Sequence, residues 1–142
     1  MKQKFRIWSK KYKLFTDDVK YPNNQSYSER YLIDQDGEIV IHMFSPFNLH
    51  EYLTEVDGEY IVQWWSGKKD KDGKLIYEGD IIQDKLGDEF VNFVCKYDEV
   101  WEKFLFRMFN DDDSFYLHPE ELNKKDCRVI GNIFENPELL KQ

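Results

Sequence analysis

The stretch EYIVQWWSGKKDKDGKLIYEGDIIQ, residues 59–83, decides the fold. Its first part, with Tyr60, Ile61, Val62, Trp64 and Trp65, is too aromatic and β-branched for an exposed helix and predicts a well-buried strand over 59–65. Neighbours on a strand point to opposite faces, so one of Trp64 and Trp65 is expected in the core and the other in solvent. Asp72-Gly73 supplies the positive backbone angles of a tight turn. The loop 68–73 therefore leads into a second strand over 74–83. Within it, Glu78-Gly79-Asp80 predicts the sharp bend used by small SH3-like barrels. The glycine tolerates the backbone angle and the aspartate bonds nearby amides.

The same grammar extends outward. Asp36-Gly37 predicts a hairpin with arms over 31–34 and 38–43, and Asp57-Gly58 marks another turn. Residues 89–97 alternate, with Val91, Phe93, Cys95 and Tyr97 on one face. Residues 100–109 alternate again with Phe104, Phe106 and Met108, and Asp98-Glu99 is expected to link the two. Short helices of about two turns are expected at Ser45-Pro46, His118-Pro119-Glu120-Glu121 and Asn136-Pro137-Glu138, each with Pro at a first helical position. Residues 110–114 read as a polar loop.

Composition agrees with a mainly β chain. Among 142 residues there is no Ala, the strongest helix former, whereas Ile, Val, Thr and the aromatics total 44. The length suits one domain over 1–142, and 24 aromatic residues supply enough apolar surface to exclude disorder. No window approaches the roughly 18 unbroken apolar residues of a membrane span, and lysines interrupt the region where a signal peptide's apolar stretch would lie. Two cysteines, Cys95 and Cys127, make neither a disulfide framework nor a metal knuckle, so a reducing cytoplasm is the expected location.

The formal charge is −8, unevenly spread. Residues 1–33 carry eight basic groups against three acids, and the remainder carries twelve against twenty-five. Most of the surface therefore repels phosphate backbones. The basic stretch 2–13, interleaved with Phe5, Ile7 and Trp8, reads as a strand with one solvated face.

Signatures of the common nucleophiles, nucleotide loops and zinc sites are missing, and His42, His50 and His118 lack metal-ligand spacing. Asp70-Lys71-Asp72-Gly73 resembles a calcium loop only superficially. With Gly73 at the sharp turn, Lys68 and Gly79 fall where carboxylates are required. Asp70 and Asp72 are expected to bond their own backbone instead. Asp111, Asp112 and Asp113 read as a solvated loop, since three adjacent side chains cannot converge from one strand.

Three segments carry a family resemblance. They are residues 4–8 (KFRIW), residues 63–82 (QWWSGKKDKDGKLIYEGDII) and residues 129–140 (VIGNIFENPELL), and in order and spacing they resemble the YopX-like family of small proteins encoded by bacteriophages and prophages. Where that family commonly has Thr-Gly-Leu-Lys-Asp, this chain has Ser66-Gly67-Lys68-Lys69-Asp70, which exchanges an apolar residue for a charge. The resemblance implies a mainly β fold of twisted antiparallel strands, barrel-like or in two subdomains, with a few short helices. It implies no reaction, cofactor or catalytic residue. The family-motif positions in this chain are Trp8, Gly67, Asp70, Gly73, Tyr77, Glu78, Gly79, Asp80, Gly131, Asn132, Glu135 and Asn136, and they read as structural. The glycines meet backbone requirements, and the polar residues cap turns and the final helix.

The expected function is a non-enzymatic binding protein of a phage or prophage, acting in the host bacterial cytoplasm on a host or phage protein. Aromatic side chains dominate interface energetics, and this chain is rich in them. A narrower form has the acidic surface imitate nucleic acid. Two alternatives belong to other classes. One is a metal-dependent hydrolase using Asp111, Asp112, Asp113 and Glu120. The other is nucleic-acid binding through Arg6, Lys10, Lys11 and Lys13 with Phe5, Trp8 and Tyr12. Exposed sheet edges would also allow a homo-oligomer.

Overall fold

A computed structural model of the chain describes residues 4–10, 13–15, 28–33, 39–45, 50–55, 60–108 and 115–140, and the side chains of 4–10, 13, 15, 61–108 and 115–140. The strands are β1 (Phe5–Ser9), β2 (Leu14–Phe15), β3 (Ser28–Ile33), β4 (Ile39–Ser45), β5 (His50–Glu55), β6 (Tyr60–Lys69), β7 (Leu75–Tyr77), β8 (Asp80–Leu86), β9 (Glu89–Asp98), β10 (Lys103–Met108), β11 (Tyr116–Leu117) and β12 (Arg128–Asn132). The mainly β reading holds. Among the described residues the sheets are open and none closes into a barrel. The chain divides into two compact units, one of Met1–Phe5 with Gln63–Gln142, the other of Arg6–Val62.

In the second unit, β3 and β4 pair antiparallel with Tyr31 opposite Ile41, so the expected hairpin arms meet and run longer than the 31–34 and 38–43 read from sequence. The turns at Asp36-Gly37 and Asp57-Gly58, and the helix expected at Ser45-Pro46, lie outside the described residues. A third strand, β5, pairs with β4 and has no counterpart in the sequence reading, because His50, Glu51 and Glu55 dilute its pattern. β1 and β2 form a tight hairpin, closed by the Lys13 N–H donating to the Ser9 carbonyl at 2.9 Å with Lys13 at φ 54°. Across it the rings of Trp8 and Phe15 meet edge-on at 5.0 Å, and the Arg6 guanidinium stands 4.3 Å from the Phe15 ring centre. Ile7, Trp8 and Ser9 are all buried. The solvated face expected for this strand is therefore covered, and consecutive burial replaces alternation.

In the first unit the sheet runs β11-β10-β9-β8-β12, all antiparallel. Registers pair Ile82 with Phe93, Phe106 with Cys95 and with Leu117, and Val129 with Ile82, which puts these side chains on one face. There Ile76, Ile82, Phe93, Cys95, Phe106, Leu117 and Cys127 form the core, flanked by Val91, Phe104, Met108, Leu122 and Val129. Each large apolar side chain buried there contributes about 1.5–3 kcal/mol. Tyr97 shares the alternation of Phe93 and Cys95 but lies near the strand end and is 46% exposed. The link after β9 is longer than Asp98-Glu99, running to Glu102 at φ 51°, so β10 starts at Lys103. Ile81, Val94 and Leu105, on the opposite face, are buried too.

The strand expected over 74–83 is two strands, β7 and β8, because the chain turns at Glu78-Gly79. Gly79 has φ 84°, and a Cβ there would lie 2.1 Å from the buried Gln63 Nε2. Asp80 caps the turn, its Oδ2 accepting the Tyr77 N–H at 2.9 Å. The helices are shorter than expected, single 3₁₀ turns at Pro119–Glu121 and Pro137–Leu140. After the first, Leu122 is already extended, and the Asn123 N–H goes to Asp84 Oδ2 at 3.0 Å instead of a helix carbonyl.

Truncating Phe93, fully buried between β8 and β10, is expected to cost about 3–5 kcal/mol. Removing the ring of Phe90, 57% exposed on the same strand, should change stability by no more than about 0.5 kcal/mol. Urea unfolding of Phe93→Ala and Phe90→Ala measures both, and equal midpoints would contradict the assigned register.

Candidate functional site

The motif residues of the middle and final segments come together around β7 and β12. Between Trp65, opposite Tyr77, and Lys69, opposite Leu75, β6 runs four residues against two on β7. Gly67, at φ 86°, lets the excess bulge outward. The Trp65 Nε1–H donates to the Lys68 carbonyl at 2.9 Å inside that bulge. Beyond it, Asp70 Oδ1 accepts the N–H groups of Asp72 and Lys74, both at 2.9 Å, and Oδ2 accepts that of Val129 at 3.0 Å. Burial pushes the pKa of this carboxyl up, but the Val129, Lys74 and Asp72 amides and the Lys74 charge outweigh it. Asp70 is held below the ordinary carboxylate value. Gly73, at φ 81°, completes the turn.

The end segment is closed in the same manner. Asn132 Oδ1 accepts the N–H groups of Phe134 (3.0 Å) and Glu135 (2.9 Å), while its Nδ2 donates to Glu135 Oε1 at 3.2 Å. The Asn132 N–H donates to Asn136 Oδ1 at 3.3 Å, and a Cβ at Gly131 would sit 2.5 Å from that same oxygen. Gly79 joins this segment to the sheet, its N–H donating to Cys95 and its carbonyl accepting from Ile133. Trp8, by contrast, lies buried on β1 in the other unit.

Glu78 differs from these acids. With Trp64, Trp65, Tyr97 and Phe104 it lines an open cleft of about 370 Å³, four aromatic walls around one carboxyl group. Burial raises its pKa above the ordinary carboxylate value, and backbone hydrogen bonds with Tyr97 and Trp64 only partly oppose that. Tyr97 and Phe104 meet edge-on at 5.3 Å, and Phe5 braces Trp64 at 5.5 Å. Lys4, whose carbonyl accepts the Trp65 N–H, places its Nζ 5.4 Å from the Trp65 ring centre. Neither tryptophan is core and neither is fully exposed. Both are half-buried and both reach this cleft, which replaces the expected division of one inside and one outside.

A second cleft, of about 530 Å³, lies beside the bulge among Trp65, Lys68, Lys69, Asp70, Leu122, Lys124 and Cys127. Cys127 is no nucleophile there. Burial first, then the Asp84 and Asp70 charges, push its thiol up to about 12. Glu120 is exposed and pairs with Lys103 at 3.4 Å, while Asp111, Asp112 and Asp113 lie outside the described residues. Among the described residues no three His, Cys, Asp or Glu side chains converge as a metal site. His118 lies edge-on to Trp101 (5.4 Å) and Tyr116 (5.6 Å), and the side chains of His42 and His50 are outside the described set. In the basic stretch Arg6 rests on Phe15, Lys10 and Lys13 are exposed, and Lys2, Lys11 and Tyr12 lie outside the described residues. Among the described residues no helix is long and apolar enough to cross a membrane.

The fold has counterparts among known proteins. The family model described as YopX protein matches residues 4–141. The crystal structure of protein EF1440 from Enterococcus faecalis is similar with a TM-score of 0.57 at 23% identity, covering 99% of both chains. That of protein yopX from Bacillus subtilis is similar with a TM-score of 0.56 at 18% identity, covering 95% of both. These likenesses establish the fold. Comparison with curated proteins finds no match.

Two outcomes are expected from this geometry. Asp70→Ala leaves three backbone donors without their acceptor and should cost about 3 kcal/mol in urea unfolding, with Asp70→Asn, which keeps an acceptor, costing about half that. Because the folded carboxyl is the stronger acid, its contribution is complete above the unfolded value and disappears as pH falls through the lower folded one. The fall in stability of the wild type as pH drops below the ordinary carboxylate range should accordingly be steeper than that of Asp70→Asn. Cys95 and Cys127 are buried thiols outside any disulfide, so iodoacetamide at pH 8 should modify them only as fast as the fold opens, and prompt alkylation of the native protein would contradict the assigned core.

Proposed function

We propose, from the premise that the chain belongs to the YopX family, that it is a non-enzymatic binding protein of a phage or prophage, acting on a host or phage protein in the bacterial cytoplasm. The observation that carries this reading is the apolar end of the β9–β10 hairpin. Tyr97 is 46%, Trp101 55% and Val100 91% exposed there. Tyr and Trp are the side chains that concentrate binding energy at protein interfaces, since they bury large areas with few rotatable bonds. The turn that presents them is rigid. Asp98 Oδ1 accepts the N–H groups of Val100 (2.9 Å) and Trp101 (3.0 Å), and its other oxygen is paired with Arg107. The Trp101 amide first, with the Arg107 guanidinium and the Val100 amide, outweighs desolvation and holds the Asp98 carboxyl below its ordinary value. A surface held in one shape loses little entropy on binding.

The acids also support the non-enzymatic reading. Asp70, Asp80, Asp84 and Asp98 all accept backbone N–H groups, which occupies them in shaping turns.

Affinity capture from lysate of the bacterial host, with the tag at either end in turn, should recover the same partner from both. Trp101→Ser and Tyr97→Ser are expected to lower capture at least about tenfold, the loss typical of an interface anchor, while leaving the urea midpoint in place. Capture that is absent with both tags, or unchanged by both substitutions, would overturn the proposal.

A further inference from the structure

We infer that the cleft of Trp64, Trp65, Glu78, Tyr97 and Phe104 receives a cationic side chain, arginine or lysine, from a basic segment of the partner polypeptide. This rests on the protein-binding reading and names the chemistry of its site. The walls are aromatic side chains, and the quadrupole of an aromatic ring attracts a cation within about 6 Å of its centre. The one ionisable group among the lining residues whose charge can complement a cation is Glu78, half-buried among them. An aromatic enclosure with one carboxyl suits a ligand that is flat or slender, apolar along its stem and positive at its tip.

Four further observations point the same way. The chain already uses this attraction once at the cleft's edge, where the Lys4 ammonium stands 5.4 Å from the Trp65 ring, leaving Trp64, Tyr97 and Phe104 as the remaining walls. The unit that holds the cleft, residues 1–5 and 63–142, carries eighteen acids against fourteen bases, so its net charge favours positive segments over negative ones. Tyr97 belongs both to the cleft and to the apolar hairpin end, so one peptide can lay apolar residues on Trp101 and Val100 and direct its cation inward. Glu78 left without a counter-charge in an aromatic setting is held towards its neutral form, and an incoming cation removes that penalty.

The test titrates the full-length protein with N-acetyl-arginine amide and N-acetyl-lysine amide, and with N-acetyl-citrulline amide and N-acetyl-norleucine amide as uncharged matches, following the indole N–H signals of the tryptophans by NMR. Saturable shifts with either cation and none with its uncharged match are expected, and the tighter cation identifies the side chain. Glu78→Gln, which keeps size and hydrogen bonding, should weaken the cation about tenfold or more, and Tyr97→Leu, at a 46% exposed position, should do so with the charge intact. Citrulline binding as well as arginine, or unaltered cation binding in both variants, would overturn the inference. Capture of a partner that Trp101→Ser abolishes and Glu78→Gln leaves untouched would overturn it while the binding function stands. Cation binding in the cleft without capture of any partner would instead count against the binding function.

Discussion

One carboxylate with three backbone amides on it, that of Asp70, sets the geometry of the larger unit. A carboxylate removed from water is unfavourable unless charge-assisted hydrogen bonds replace its hydration, and here the Asp72, Lys74 and Val129 amides do so. The first two close the loop between β6 and β7, and the third comes from 59 residues away, on β12. Nearby, the Lys71 N–H donates to the Cys127 carbonyl, so loop and strand are joined twice. With β12 thus anchored, its pairing with β8 completes the sheet, and Gly79 turns beside it at φ 84°, a backbone angle that strains any residue with a side chain.

The carboxyl groups of this unit divide by surroundings. Asp70 and Asp98 are surrounded by amide hydrogens and, for Asp98, a guanidinium, which favour the charged form. Glu78 faces indole and phenyl rings, which favour the neutral one. The first two serve the backbone. The third also bonds the Tyr97 and Trp64 backbone, but it borders the open cleft, where the inferred cation would meet it.

Local features were largely legible from sequence. Period-two alternation located β9 and β10, Asp-Gly placed the turn between β6 and β7, and the resemblance of three segments pointed to the right family. What escaped depends on distant partners. The bend expected at Glu78-Gly79-Asp80 is present but parts the strand in two, with Gly79 bonded to Cys95 and Ile133, and the 3₁₀ turn at Pro119–Glu121 ends where Asp84 takes the Asn123 amide. Trp64 and Trp65 were assigned by strict alternation, whereas a bulge of two extra residues follows them in β6. Glu78 stood among the motif positions, but its setting is made by Tyr97 and Phe104 from β9 and β10, and no spacing within residues 63–82 encodes that.

The borders of the five-stranded sheet carry a last consequence. On one side β11 offers only two residues, and on the other β12 is interrupted between Val129 and Gly131. A row of main-chain donors and acceptors so brief or so kinked is a poor template for a neighbouring copy, which guards this sheet against fibrillar stacking. Self-association through this sheet would have to proceed by side chains, leaving its ladder of amides closed to recruitment.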